Sequence, residues 1–347
     1  MEQILGIILH TIGGFSSASF YVPTYKIKKW AWETYWILLG FVAWVIMPAI
    51  GCWFVTDKAW EIYSSTSSSA LFYTYLFGAL WGFGGLFAGL GIRYMGLALG
   101  QSISLGVCSV VGTLVPAAMN GSLDSLLFTP SGLVVTGGLV ISILGIICCG
   151  IAGQLKEKAW NAQRSEDSKG EFSLMKGLII ATLGGIMSAC MAIAIMFGEP
   201  IAKAAVSSGT VEIFMNIPIF VIALGGGFTT NLIYVVIKSR GNNMLSNLFN
   251  RKIEMLGRNY FLAILAGVMW YLQYFFYGMG ATKMQGYEFA SWCIHLSSIV
   301  LFSNLWGLWL KEWQGVGRKT MVWLGAGIFL LIASIVLIGW GNYAAAA

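Results

Sequence analysis

The chain has only two histidines, His10 and His295, and each stands inside a long apolar run. An ionisable side chain is costly in such a setting and is a functional candidate by default. Imidazole, with an ordinary pKa of about 6.5, can take up and release a proton near neutrality. His10, Gly14, Ser17 and Tyr21 are spaced i, i+4, i+7 and i+11, one face of a helix. Glu288, Ser291, His295, Ser298 and Phe302 form a similar face far along the chain. Two more stripes are Ser102, Gly106, Ser109 and Thr113, with Gln101 beside them, and Trp270, Gln273 and Tyr277, with Tyr274 adjoining. Amides, hydroxyls and imidazoles hydrogen-bond sugar hydroxyls, and aromatic faces cover the C–H face of a sugar ring. This pattern suits a neutral polyol, with His10, Gln101, Trp270, Gln273, Tyr274, Tyr277 and His295 as its binding set. The groups suited to carry a coupled proton are His10, His295, Glu33 and Glu288, since desolvation helps a carboxylate hold a proton. Glu33 and Glu288 each begin a predicted helix, where the helix dipole alone would favour an acid. For each histidine the competing account is a hydrogen-bonded packing role. No Lys or Arg falls in mid-helix, so an anionic substrate has no evident partner.

Such stripes act together only if helices bring them together. Of 347 residues, 58% are hydrophobic and 10% charged, with a mean hydropathy of +0.78. Soluble chains carry roughly 25% charged residues, so a polytopic membrane protein is expected. Ten apolar segments reach the ~20 residues a spanning helix needs. They run roughly over 3–22, 33–55, 70–92, 96–119, 131–152, 177–201, 213–237, 259–279, 287–310 and 321–343. They are too continuous for the alternating strands of a β-barrel. The formal net charge is +6, but 17 of the 20 basic residues lie in the loops after the odd-numbered segments; the others are Lys58, Lys203 and Lys283. The charges therefore read as topology signals, with those loops cytoplasmic and both termini outside, and no nucleic-acid partner is implied. The start Met1-Glu2-Gln3 lacks the basic residues of a cleavable signal peptide. Cys52, Cys108, Cys148, Cys149, Cys190 and Cys293 all lie in apolar stretches without metal-ligand spacing and read as packing residues. No phosphate loop or nucleophile motif is present, so neither an enzyme nor a metal or cofactor is expected.

The first and sixth segments share a pattern. Thr11-Ile12-Gly13-Gly14-Phe15-Ser16-Ser17-Ala18 and Thr182-Leu183-Gly184-Gly185-Ile186-Met187-Ser188-Ala189 are separated by a constant 171 residues. Five spans per repeat is an odd number, so the second copy must enter the membrane from the opposite side. The expected fold is an all-α integral membrane protein of ten transmembrane helices in an inverted 5+5 repeat. Residues 1–152 form the first repeat, 153–176 a cytoplasmic linker and 177–347 the second. Such architectures place the substrate near the midplane, where the halves meet.

Several stretches resemble a known family: HTIGGFSSASFYVP (10–23), KKWAWET (28–34), FGALWG (77–82), Arg93-Tyr94-Met95-Gly96, Gly112-Thr113-Leu114 and AGQLKE (152–157). In the second half they are MWYLQYFFY (269–277), Ser291-Trp292 with His295, and LKEW (310–313). In these the chain resembles the L-rhamnose/proton symporters of the drug/metabolite transporter superfamily. It departs in carrying Glu288 where an aspartate is expected ahead of Ser291-Trp292. The resemblance implies a multi-pass protein of the bacterial inner membrane that imports L-rhamnose, or a related 6-deoxy sugar, with H+ by alternating access. Na+ is the other candidate ion, no cofactor is implied, and a monomer would suffice. An exporter of drugs or metabolites in the same superfamily is the alternative; it would need an apolar pocket with few hydrogen-bonding groups.

Overall fold

The computed structural model describes residues 2–95, 97–161, 173–240, 246–250, 254–284 and 290–346. Among these residues there is helix but no strand. That follows from the solvent: a hydrocarbon layer offers no hydrogen bonds, so backbone groups must pair within each segment. Ten helical segments are long and apolar enough to span a membrane. We number them α1 (Glu2–Thr24), α2 (Trp32–Val55), α3 (Ser68–Ile92), α4 (Leu99–Met119), α5 (Pro130–Ala159), α6 (Met175–Ser207), α7 (Glu212–Lys238), α8 (Leu256–Ala281), α9 (Ala290–Trp309) and α10 (Gly317–Ala345).

The segments read from hydropathy fall on these helices. Two of them run well past the C-terminal end of the apolar stretch. α5 continues through Lys156 into the polar side, and α6 passes a junction at Gly198 into a second helix, Glu199–Ser207, that carries Pro200 in its first turn. Hydropathy registers the hydrocarbon crossing alone, whereas a helix continues until its caps.

α1 packs against α8 and α9, and α6 against α3 and α4. α2 meets α7 and α8, α3 meets α7, and α5 lies along α10 and beside α4. The glycine pairs singled out in the sequence sit at these contacts. A Cβ on Gly13 would lie 2.9 Å from the Gln273 carbonyl oxygen on α8, and one on Gly14 would strike Ser298 on α9. A Cβ on Gly184 would lie 2.9 Å from the Ala88 nitrogen on α3, and one on Gly185 2.6 Å from the Ser104 carbonyl oxygen on α4. In apolar solvent, helix association rests on such close backbone approach, so both Gly-Gly pairs have a packing reason. Ser16 adds a hydrogen bond from its hydroxyl to the Met269 carbonyl, 2.8 Å.

The loops lock the ends. Asn259, buried at the start of α8, receives the Lys28 amide on its Oδ1 (3.3 Å) and donates to the Lys28 carbonyl (2.7 Å). That pins the α1–α2 connection where Lys29 takes a left-handed conformation, φ 60°, and seats Trp30 edge-on against Tyr260. At the opposite end of the bundle, Ile62 of a short helix packs with Ile201, Ala202, Ala205 and Ile219.

Candidate functional site

α1 carries His10, α8 carries Trp270, Gln273, Tyr274 and Tyr277, and α9 carries Trp292 and His295. Because α1 wedges against both α8 and α9, these side chains share one buried cluster. The imidazole centroids of His10 and His295 lie 6.3 Å apart. Tyr277 lies 5.1 Å from His10 and 5.3 Å from His295, and Tyr274 lies 6.5 Å from His295. His10 is fully buried and His295 is 1% exposed.

No hydrogen bond forms at any of the four imidazole nitrogens among the described residues. The main chain of His10 approaches the His295 ring as its nearest polar neighbour, in a contact too poorly aligned to meet ordinary hydrogen-bond geometry. Leaving a buried polar group unpaired costs about 1–3 kcal/mol, so this arrangement is expensive as it stands. It favours a ligand that brings hydroxyl donors and acceptors.

The cluster continues into a group of indoles. Trp270 lies 5.4 Å from Tyr274 and 5.5 Å from Trp44; Trp81 lies 5.9 Å from Trp44 and 5.8 Å from Trp270. Phe220 of α7 packs on Tyr274 at 5.1 Å. Trp292 stands 5.8 Å from Tyr277 and donates its Nε1 to the Cys108 carbonyl of α4, 3.2 Å. Gln273 is buried, and its Nε2 donates back to the Trp270 carbonyl at 2.9 Å. That orients the amide along α8, with its carbonyl oxygen as the remaining acceptor.

Trp44 was not among the residues singled out from the sequence. It enters the site through a local change of helix type, a π-turn at Val42–Ile46 inside α2. Pro48 lies four residues after Trp44 and has no N–H to donate to the Trp44 carbonyl, so the regular ladder breaks there. The proline at i+4 was the available signal. Trp81 and Trp292 were visible only as members of larger motifs.

The other predicted site residues are not in the cluster. Gln101 is exposed in the first turn of α4. At 1.5 Å per residue it stands about 10 Å along the helix from the Cys108 level that Trp292 marks. Glu33 is half-buried in the first turn of α2. It lies about 16 Å along that helix from Trp44, and a stacked Trp32–Trp36 pair (4.8 Å) stands beside it. Glu288 lies outside the described residues. Among the described residues no group of His, Cys, Asp and Glu could hold a metal ion.

Comparison with known proteins identifies the family. The family model described as L-rhamnose-proton symport protein (RhaT) matches residues 1–344. The "L-rhamnose-proton symporter" of Yersinia pestis (strain Pestoides F) is 38% identical over 341 residues, covering 97% of this chain and 98% of the relative. The protein of that name from Shigella dysenteriae serotype 1 (strain Sd197) is 37% identical over 343 residues, with the same coverage. A near full-length family match and ten apolar spans agree: the chain belongs to the L-rhamnose-proton symport protein family.

Proposed function

We propose that this protein imports L-rhamnose, or a related 6-deoxy sugar, together with a proton, and that the His10–His295 cluster is the place where both bind. The carrying observation is the pair of buried imidazoles whose nitrogens lack hydrogen-bond partners, walled by Trp270, Tyr274 and Tyr277. The indole and phenol faces cover the apolar face of the sugar ring. The Gln273 carbonyl oxygen and the imidazoles meet its hydroxyls.

Coupling follows from the same geometry. A protonated imidazole has two N–H donors and no acceptor. Buried without acceptors it is disfavoured, and sugar hydroxyls supply them. Proton and sugar therefore raise each other's affinity by the same factor, as linkage requires. Two cations about 6 Å apart at an effective dielectric near 20 would repel by roughly 2–3 kcal/mol. The pair accordingly carries one proton per sugar. Glu33, at the end of its helix, is assigned an N-terminal dipole role instead.

Alternating access is supported by the pattern of helix neighbours. Exchanging α1–α5 with α6–α10 maps the contacts of α1 with α8 and α9 onto those of α6 with α3 and α4. It maps α2–α8 onto α7–α3, and it returns α5–α10, α4–α9 and α2–α7 to themselves. This pattern supports reading the halves as an inverted repeat that can trade conformations. The loop charges support an orientation with both termini outside.

Reconstituted protein is expected to accumulate labelled L-rhamnose when an inward proton gradient is imposed, and only to equilibrate it without one. Absence of uptake by folded protein in both conditions overturns the reading and moves the exporter alternative to first place.

A further inference from the structure

Two cavities lie at opposite ends of the bundle. One, of about 450 Å³, is bounded by the start of α3, the end of α4 and the Gly198 region of α6. The other, of about 270 Å³, is bounded by the end of α1, the first half of α8 and the end of α9. Under the exchange of halves described above, α3, α4 and α6 become α8, α9 and α1. The cavities are thus counterparts, and the loop charges assign the first to the outside.

They differ in chemistry. The inner cavity is walled by Val22, Pro23, Leu262, Leu265, Met269 and Trp306, with Ser19 and Lys26 as its polar groups. Its Ser19 hydroxyl already donates to the Phe15 carbonyl and accepts from Trp306 Nε1, at 2.6 and 2.8 Å. The outer cavity presents Asn120 and Glu199, with Ser67 held by Ser69 and the Ala70 amide, beside the rings of Tyr73 and Phe197. Glu199 is paired with Lys203 at 2.6 Å, so its rim is close to neutral. The outer volume falls in the range of small-molecule sites, ~300–1,000 Å³, and the inner one falls below it.

Aromatic rings connect the outer cavity to the central cluster. Tyr73, Phe77 and Trp81 recur every four residues on one face of α3. Phe197 stacks on Tyr73 (5.0 Å, 28°) and on Phe77 (5.3 Å, 9°). Trp81 then meets Trp44 and Trp270. Flat apolar faces flanked by hydroxyl, amide and carboxylate groups are the chemistry that recognises a neutral pyranose.

We propose that the outer cavity is a second pyranose-binding site, which captures sugar on the Tyr73–Phe197 rings before it passes along Phe77 and Trp81 to the histidines. This rests on the reading of the chain as a sugar importer. Its smaller inner counterpart has one ring, Trp306, and no amide or carboxylate, so it holds sugar more weakly and favours release inside.

Saturation-transfer NMR with L-rhamnose and the full-length protein in detergent tests this. It detects weak binding and reports sugar C–H protons lying against protein. The central-site variant Gln273→Leu is expected to keep at least a third of the wild-type signal. Adding Tyr73→Ala, an exposed change, or Phe197→Leu should bring that remainder to background. In otherwise wild-type protein either change should raise the half-saturating sugar concentration for uptake about three- to tenfold at unchanged maximal rate. Loss of the whole signal in Gln273→Leu alone, or a remainder indifferent to Tyr73 and Phe197, overturns the outer site. Wild-type uptake in proteoliposomes separates the two ideas. Uptake without a Tyr73-dependent signal removes the outer site and leaves the importer reading. A Tyr73-dependent signal without uptake removes the importer reading and leaves the sugar site.

Discussion

Gly13→Ala probes the joint between packing and function. The added methyl carbon would lie 2.9 Å from the Gln273 carbonyl oxygen, 3.3 Å from His295 Cε1 and 3.4 Å from His295 Nδ1. Ordinary C···O contacts are about 3.3–3.6 Å, so α1 must retreat from α8 by about half an ångström, because a helical carbonyl cannot yield. The imidazole is displaced with it. Overpacking of a filled interior costs ~1–3 kcal/mol. Half an ångström argues for the lower part of that range, about 1–2 kcal/mol; sugar binding requires the imidazole in its undisplaced position, so the sugar has to supply that energy, roughly 5- to 30-fold in affinity. Gly85→Ala meets nothing within 4 Å and isolates the generic gain of Ala over Gly in a helix. Gly184→Ala meets the Ala88 nitrogen at the same 2.9 Å but touches no site residue. In proteoliposome uptake, Gly13→Ala should raise the half-saturating L-rhamnose concentration by that factor. Gly184→Ala should lower thermal stability with a smaller change in half-saturation, and Gly85→Ala should do neither. A Gly13→Ala protein with wild-type half-saturation and melting temperature would refute the wedge of α1 between α8 and α9, and with it the meeting of the histidines.

Other expectations follow from the same contacts. Gln273→Leu should lower sugar affinity at least tenfold while the protein elutes as a single folded species; normal transport would make Gln273 a packing residue. His295→Gln should retain sugar exchange across the membrane but lose gradient-driven accumulation, measured as counterflow against net uptake; intact accumulation would exclude His295 from the proton path. Gly112→Ala places its Cβ on Trp292 Nε1 and should break the Trp292–Cys108 bond, lowering stability by about 1–3 kcal/mol in a thermal melt with quenched or shifted tryptophan fluorescence. Lys156 pairs with Glu312 at 3.1 Å and sits 4.5 Å over the Trp313 ring. Lys156→Met should cost about 1 kcal/mol, with a salt dependence smaller than that of an exposed pair because Lys156 is largely covered.

The spans, their number and the stripes on them were legible because each is a local property. Apolar length reports the hydrocarbon crossing, and helical spacing places His10 one turn before Gly14 and Ser291 one turn before His295 without any neighbour being known. The repeated Thr-x-Gly-Gly pattern was also legible, though its reason was not. Only the packed bundle reveals that one copy lets α1 approach α8 and α9 and the other lets α6 approach α3 and α4. Which stripes meet is a question of helix neighbours. Spacing treats Gln101 and Gln273 alike, yet the first is exposed at a helix end while the second is buried beside the histidines' cluster.

From residue order alone came a ten-helix membrane protein with two intramembrane imidazoles and a sugar-like set of polar and aromatic groups. Hydrophobicity and helical period act over a few turns, and so the chain spells them directly. The tertiary structure alone decided that His10 and His295, 285 positions apart in the sequence, stand 6.3 Å apart. It alone brought in Trp44 through the π-turn ahead of Pro48 and left Glu33 at the periphery. Those outcomes depend on how close two backbones can come, which is settled by the side chains of both helices at once and by neither helix alone.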